Sequence, residues 1–148
     1  MLIANGIASG IAGGIAAILG ATALLHVYWA AGGLWPARSE AELVARVIGA
    51  SADKMPPRWL TFAVAVLIAL AGLWPFVFLG MVSLPVPEWL VTRGMWGLCG
   101  IFLLRGAVTY VPGLWQGPDR VPFFRLNRRY FSPLILAIGL GYLVLLRA

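Results

Sequence analysis

Two side chains in this 148-residue sequence stand where charge and hydrogen bonding are expensive. His26 lies in Leu24-Leu25-His26-Val27-Tyr28-Trp29 and Arg105 in Ile101-Phe102-Leu103-Leu104-Arg105, each inside an apolar run. An arginine at the centre of a bilayer-spanning helix carries an insertion penalty of about 2.5–3.5 kcal/mol, so Arg105 is expected to face protein, water or ligand. An imidazole can serve as acid or base near neutrality, and a guanidinium can hold a carboxylate or phosphate with two parallel hydrogen bonds. Helical spacing puts Thr22, His26 and Trp29 on one stripe and Ile101, Arg105 and Thr109 on another. His26 and Arg105 are expected in the same leaflet, with the two stripes facing each other to line a polar pocket that opens to the cytoplasmic leaflet, and with Tyr28 beside it. The plainer alternative has Arg105 snorkelling to headgroups and His26 bonded to a carbonyl of a neighbouring helix.

Other groups point to the bilayer rather than to catalysis. Arg125, Arg128 and Arg129, interleaved with Phe123, Phe124 and Tyr130, suit anionic lipid headgroups. Tyr28, Trp29, Trp35, Trp59, Tyr110 and Trp115 read as an aromatic belt at one membrane interface. Cys99 is the sole cysteine and His26 the sole histidine, so neither an intramolecular disulfide nor a thiolate or histidine metal cluster is expected, and no cofactor. Asp and Glu are missing from the long apolar runs, which argues against carboxylate-driven ion coupling. No nucleophile elbow, Walker loop, HExxH or dinucleotide fingerprint is present. Whether the chain is an enzyme stays open; His26 as acid or base, with Arg105 holding negative charge, is the chemistry on offer.

These residues need elements to hold them, and composition says which. The chain is 61% hydrophobic and 11% charged, with a mean hydropathy of +0.92. Soluble domains carry about 25% charged residues. About 20 apolar residues cross a bilayer as a helix, which satisfies its own backbone. Four spans are expected in one domain over residues 1–148: about Leu2–Ala31, Arg58–Ser83 with a kink at Pro75, Glu88–Tyr110, and Ser132–Leu146 opening on Ser132-Pro133. The first is too long, and lacks the basic start, for a signal peptide. Gly6, Gly10 and Gly14 recur at i, i+4, i+8 and form a face for helix packing, within one subunit or as a homo-oligomer seam. Ser39 to Glu42 forms a capping box, and Leu43, Val44, Val47 and Ile48 then give a short amphipathic helix read as lying on the membrane surface, a pattern that packing on protein would equally produce. Residues Val111 to Tyr130 read as a loop.

Charge sets the orientation. The net charge of +6 does not call for nucleic acid, because the basic residues flank apolar runs. Eight of them, Arg38, Arg46, Lys54, Arg58, Arg120, Arg125, Arg128 and Arg129, lie in the two long connections, against Arg93 and Arg147 on the other side. Both connections are therefore expected in the cytoplasm and both termini outside.

With these residues in view, the chain resembles an uncharacterised family of small bacterial four-helix membrane proteins, a domain of unknown function. The likeness rests on His26-Val27-Tyr28-Trp29-Ala30-Ala31-Gly32-Gly33, on Phe102-Leu103-Leu104-Arg105, and on Phe124-Arg125-Leu126-Asn127 followed by Tyr130-Phe131-Ser132-Pro133-Leu134. It spans essentially the whole chain. It implies a protein of the bacterial cytoplasmic membrane and brings no activity. In that family a tyrosine often stands at the position of Phe131 and an aspartate as often as an asparagine at that of Asn127, so the resemblance assigns neither a role.

The expectation for function is a protein that binds or transforms a lipophilic small molecule or lipid with a polar or anionic head in the His26/Arg105 pocket of the cytoplasmic leaflet. An oligomeric channel or transporter, and an accessory subunit of a larger membrane complex, are the rivals.

Overall fold

The computed structural model describes residues 2–49, 54–114 and 121–147, with side chains from residue 6 onward. Trp115 and Arg120 lie outside the described residues. The described residues fold into helices: α1 (Leu2–Ala30), α2 (Glu40–Val47), α3 (Arg58–Phe78), α4 (Glu88–Ala107), α5 (Pro122–Leu126) and α6 (Ser132–Leu145). A 3-10 turn, Val108–Tyr110, ends α4, and a π-helical segment, Asn127–Phe131, joins α5 to α6.

Three helical stretches are long and apolar enough to cross a membrane: Gly6–Ala30, Arg58–Phe78 and Pro122–Leu145. The expected fourth, α4, is long enough at 20 residues but carries Glu88, Arg93 and Arg105, and by composition it falls short. The last stretch also starts earlier than the sequence suggested. Ser132 and Pro133 do not open a span; the helix begins at Pro122, inside the expected loop, and runs through Pro133. Pro133 has no N–H to give the carbonyl four residues back, and its ring crowds that carbonyl. The helix widens just before it: the Ser132 N–H bonds to Asn127 O, five residues back.

α1 packs along α3, and α4 along α6; the pairs meet on thinner α3/α4 and α1/α6 seams. The buried side of α1 is Ala8, Ala12, Ile15, Leu19 and Ala23, a helical stripe. The Gly6/Gly10/Gly14 stripe lies elsewhere on the helix, where an added Cβ would meet nothing within 4 Å. Packing within the chain therefore does not use that face. Close approach falls to other glycines. A Cβ at Gly139 would stand 2.8 Å from Leu103 Cδ2 and 3.0 Å from the Leu103 backbone N, and one at Gly106 2.6 Å from Leu136 Cγ. The α4/α6 seam depends on both.

Pro75 is buried inside α3 and leaves the Ala71 carbonyl without its helical donor. The Tyr142 hydroxyl of α6 donates to that carbonyl at 2.6 Å, with its ring fully buried and stacked on Phe102. The Trp74 indole N–H likewise reaches Val91 O, 3.0 Å away, and ties α3 to α4.

α1 ends in a Schellman motif. The Gly33 N–H bonds to Tyr28 O and the Gly32 N–H to Trp29 O, with Gly32 at φ +96°. A side chain at Gly33 would overlap the Tyr28 ring. α2 follows as expected, with the Glu42 N–H bonded to Ser39 Oγ at 3.2 Å. The return arm of the capping box is displaced by one residue, since the Glu42 carboxylate accepts from the Arg38 N–H. That bond first, then the Arg46 guanidinium, holds the Glu42 carboxyl below its ordinary range. Part of the apolar face of α2 is covered by protein: Leu43 and Val44 are fully buried, α2 packs on α5, and Ile48 stays exposed. The amphipathic pattern of α2 serves packing on protein at Leu43 and Val44.

Candidate functional site

His26, near the C-terminal end of α1, and Arg105, near the C-terminal end of α4, are not brought into one pocket. Their helices share no close seam, because α1 pairs with α3 and α4 with α6. His26 turns to its own helix, with Nδ1 2.8 Å from Thr22 O, so Nδ1 carries the proton in that bond. Thr22 does the same with Ile18 O. The His26 ring rests at 5.0 Å from that of Trp29. Tyr28 packs over Gly33, and its hydroxyl accepts from the Trp35 N–H at 3.4 Å.

Arg105 meets the π-helical segment. Its Nη2 donates to Asn127 Oδ1 at 3.1 Å, and Asn127 Nδ2 donates to Thr109 Oγ1 at 2.8 Å. Ser132 Oγ lies 2.8 Å from Thr109 Oγ1 and 3.3 Å from Asn127 Oδ1. Asn127, Ser132 and Thr109 are buried. Arg105 and Thr109 thus share a face of α4 and its 3-10 extension, as their spacing predicts; Ile101, from the same stripe, is exposed. Sequence reasoning missed Asn127 and Ser132. Five residues apart, they would point about 140° away from each other on an α-helix. The π-helical turn brings them back onto one side. The signal available was an amide inside Phe124-Arg125-Leu126-Asn127, next to a proline that no α-helix takes without adjustment. Because these groups answer one another, the cluster fixes the register of α4 against α6 and spends the Arg105 charge inside the protein.

Arg125, Arg128 and Arg129 are exposed on α5 and the π-helical segment. Arg129 lies 5.5 Å from the Tyr130 ring centre, and the Tyr110 hydroxyl donates to Arg128 O at 3.0 Å. They form a basic, aromatic-edged surface at the same end as His26 and Arg105.

At that end a cavity of about 180 Å³ opens between the end of α1, α2 and the start of α3. Its apolar wall includes Trp29, Leu43 and Met55, and its polar groups include Glu40, Arg58 and Thr61. Of the expected pocket residues Trp29 lines it, and His26 stands behind Trp29. Glu40 is fixed by one oxygen, which accepts from the Met55 N–H at 2.8 Å. The Trp29 indole is fixed by its N–H to Trp35 O, also 2.8 Å. A lining that combines an aromatic ring with two charged groups is what a small polar head on an apolar body requires.

No curated protein and no solved structure matches the chain. Residues 19–142 match the model of a family described as protein of unknown function (DUF3995), a match that takes in the C-terminal part of α1, all of α2, α3, α4 and α5, and most of α6, and the chain belongs to that family.

Proposed function

We propose that this chain is an integral protein of the bacterial cytoplasmic membrane that holds the polar head of an amphipathic molecule at its loop end. In this reading α4 crosses the bilayer as a fourth span beside the three apolar ones. Its Arg105 charge is then sheltered by Asn127 on the neighbouring helix rather than by water. Both long connections lie in the cytoplasm with the basic residues, and both termini outside. Arg125, Arg128 and Arg129 meet anionic headgroups.

The observation that carries the reading is the cavity beside Trp29 and Arg58, placed where α1 ends and α3 begins and hence at headgroup depth. At about 180 Å³ it is smaller than the several hundred Å³ of drug-sized pockets, so it suits a head rather than a whole lipid. The apolar remainder of the ligand would stay in the bilayer.

Native mass spectrometry of the protein released from lipid nanodiscs tests this. One amphipathic molecule per chain should survive release from the wild type and be lost when Thr61→Phe fills the cavity. Met55→Trp, which fills the rim from a half-exposed position, serves as a second variant that spares the α3 core. Equal retention by all three proteins would exclude the cavity as the binding place.

A further inference from the structure

We infer that the cavity between α1, α2 and α3 selects a zwitterionic head, a phosphate or carboxylate joined to a primary ammonium, over a purely anionic one; this rests on the reading that the cavity binds an amphipathic head. The cavity is lined by one cation and one carboxylate, Arg58 and Glu40. Neither is used up by the other: the one ion pair among the described residues is Arg46 with Glu42. Glu40 is oriented by the Met55 N–H through Oε1, which leaves Oε2 available to a donor. Trp29 supplies an aromatic surface to the same cavity, and an ammonium is attracted to such a face. A single aromatic ring makes no cage for a quaternary ammonium, whereas Glu40 can accept hydrogen bonds only from an ammonium that still has protons.

Backbone dipoles run the same way. α1 finishes at Ala30, so its negative end, with Gly32 and Gly33, borders the cavity on the Trp29 side. α3 starts at Arg58 with Pro57 as its N-cap and no side-chain cap, so its positive end borders the cavity on the Arg58 side. The Arg58 guanidinium reaches Gly32 at the end of α1, so charges of both signs, from side chains and helix ends, line one small space. A phosphate alone would satisfy Arg58 and leave the Glu40 carboxylate facing negative charge.

The test uses full-length protein in nanodiscs made from phosphatidylcholine with an equal share of phosphatidylethanolamine or phosphatidylglycerol, read by native mass spectrometry. Phosphatidylethanolamine should be the retained lipid. Glu40→Gln keeps an acceptor for the Met55 N–H but loses the charge. It should lower phosphatidylethanolamine retention by about tenfold or more and leave phosphatidylglycerol unchanged or higher. Arg58→Gln should lower both. Circular dichroism melting of each variant separates these losses from unfolding. Glycerophosphoethanolamine, the same head without acyl chains, distinguishes the sources. Displacement of the lipid by it supports the proposal with the head alone as ligand; lipid retained against it supports the proposal with an intact lipid. Phosphatidylglycerol retained as well as phosphatidylethanolamine, with no response to Glu40→Gln, overturns the zwitterion and leaves head binding intact. No lipid retained by any protein overturns head binding as well.

Discussion

Removing one oxygen atom, with Tyr142→Phe, should destabilise the protein through a proline on another helix. The Tyr142 hydroxyl donates to Ala71 O at 2.6 Å, and the residue whose N–H would serve that carbonyl in an unbroken helix is Pro75. In Tyr142→Phe the ring keeps its stack on Phe102, at 5.5 Å, so packing changes little. The Ala71 carbonyl is left unsatisfied in a dry interior, which costs about 1–3 kcal/mol. Hydrogen bonds between membrane helices average only about 0.6 kcal/mol, because the freed groups find other partners. Here the helical alternative is missing, so the upper part of the range applies: about 2 kcal/mol, or some thirtyfold in the unfolding equilibrium. Pro75→Ala restores a backbone N–H at position 75. In that background Tyr142→Phe should cost under about 0.5 kcal/mol, a coupling of roughly 1 kcal/mol or more. Unfolding in mixed detergent and dodecyl sulfate micelles, followed by tryptophan fluorescence, measures all four corners of the cycle. Equal costs of Tyr142→Phe in both backgrounds would refute the reasoning.

Other substitutions probe the remaining contacts. Gly139→Val should destabilise by about 1–3 kcal/mol, because its added carbons meet the Leu103 backbone as well as its side chain, whereas Gly10→Leu should leave the stability of the single chain unchanged; the same micelle assay reads both. Asn127→Leu should cost about 1–3 kcal/mol by removing the acceptor for Arg105 Nη2 and the donor to Thr109 Oγ1, while Asn127→Asp, which keeps the acceptor for Arg105, should cost clearly less; the opposite order would show that Arg105 does not rely on position 127. A single cysteine at Ser39 should resist an impermeant thiol reagent on intact cells and one at Arg147 should react, with Cys99 buried and silent; the reverse pattern would invert the orientation.

How far the sequence discloses this molecule depends on which signals are local. The start of α2 at Ser39 and the end of α1 at Gly32-Gly33 were legible because capping and Schellman motifs are written in adjacent residues. Apolar run length located α1 and α3 for the same reason. The packed face of α1 was not legible: Gly6, Gly10 and Gly14 carry the familiar spacing, but Ala8, Ala12 and Ile15 carry the contact, and only the neighbouring helix decides between them. Pro133 misled because a proline after a serine resembles a helix start, while a π-helical turn lets the chain pass through it. That turn also hid the site chemistry, since Asn127 and Ser132 share a side at a spacing no α-helical wheel would pair. Arg105 and Thr109 were correctly placed on one face. Their expected partner, His26, was assigned by leaflet, and leaflet does not say which helices touch. The cavity is built from three separate segments, and of its lining the sequence singled out Trp29 as a candidate.

The central claim, that the loop-end cavity holds the head of an amphipathic molecule, is tested most directly by photo-crosslinking in nanodiscs. A diazirine amino acid replaces Leu34, which lines the cavity, or Leu24, which is 71% exposed on the outside of α1. Each protein is irradiated in the bilayer and again after exchange into lipid-free detergent. The account predicts lipid adducts at both positions in the bilayer, and after exchange an adduct at position 34 alone, of a single mass class. Adducts that vanish equally from both positions on exchange would contradict it.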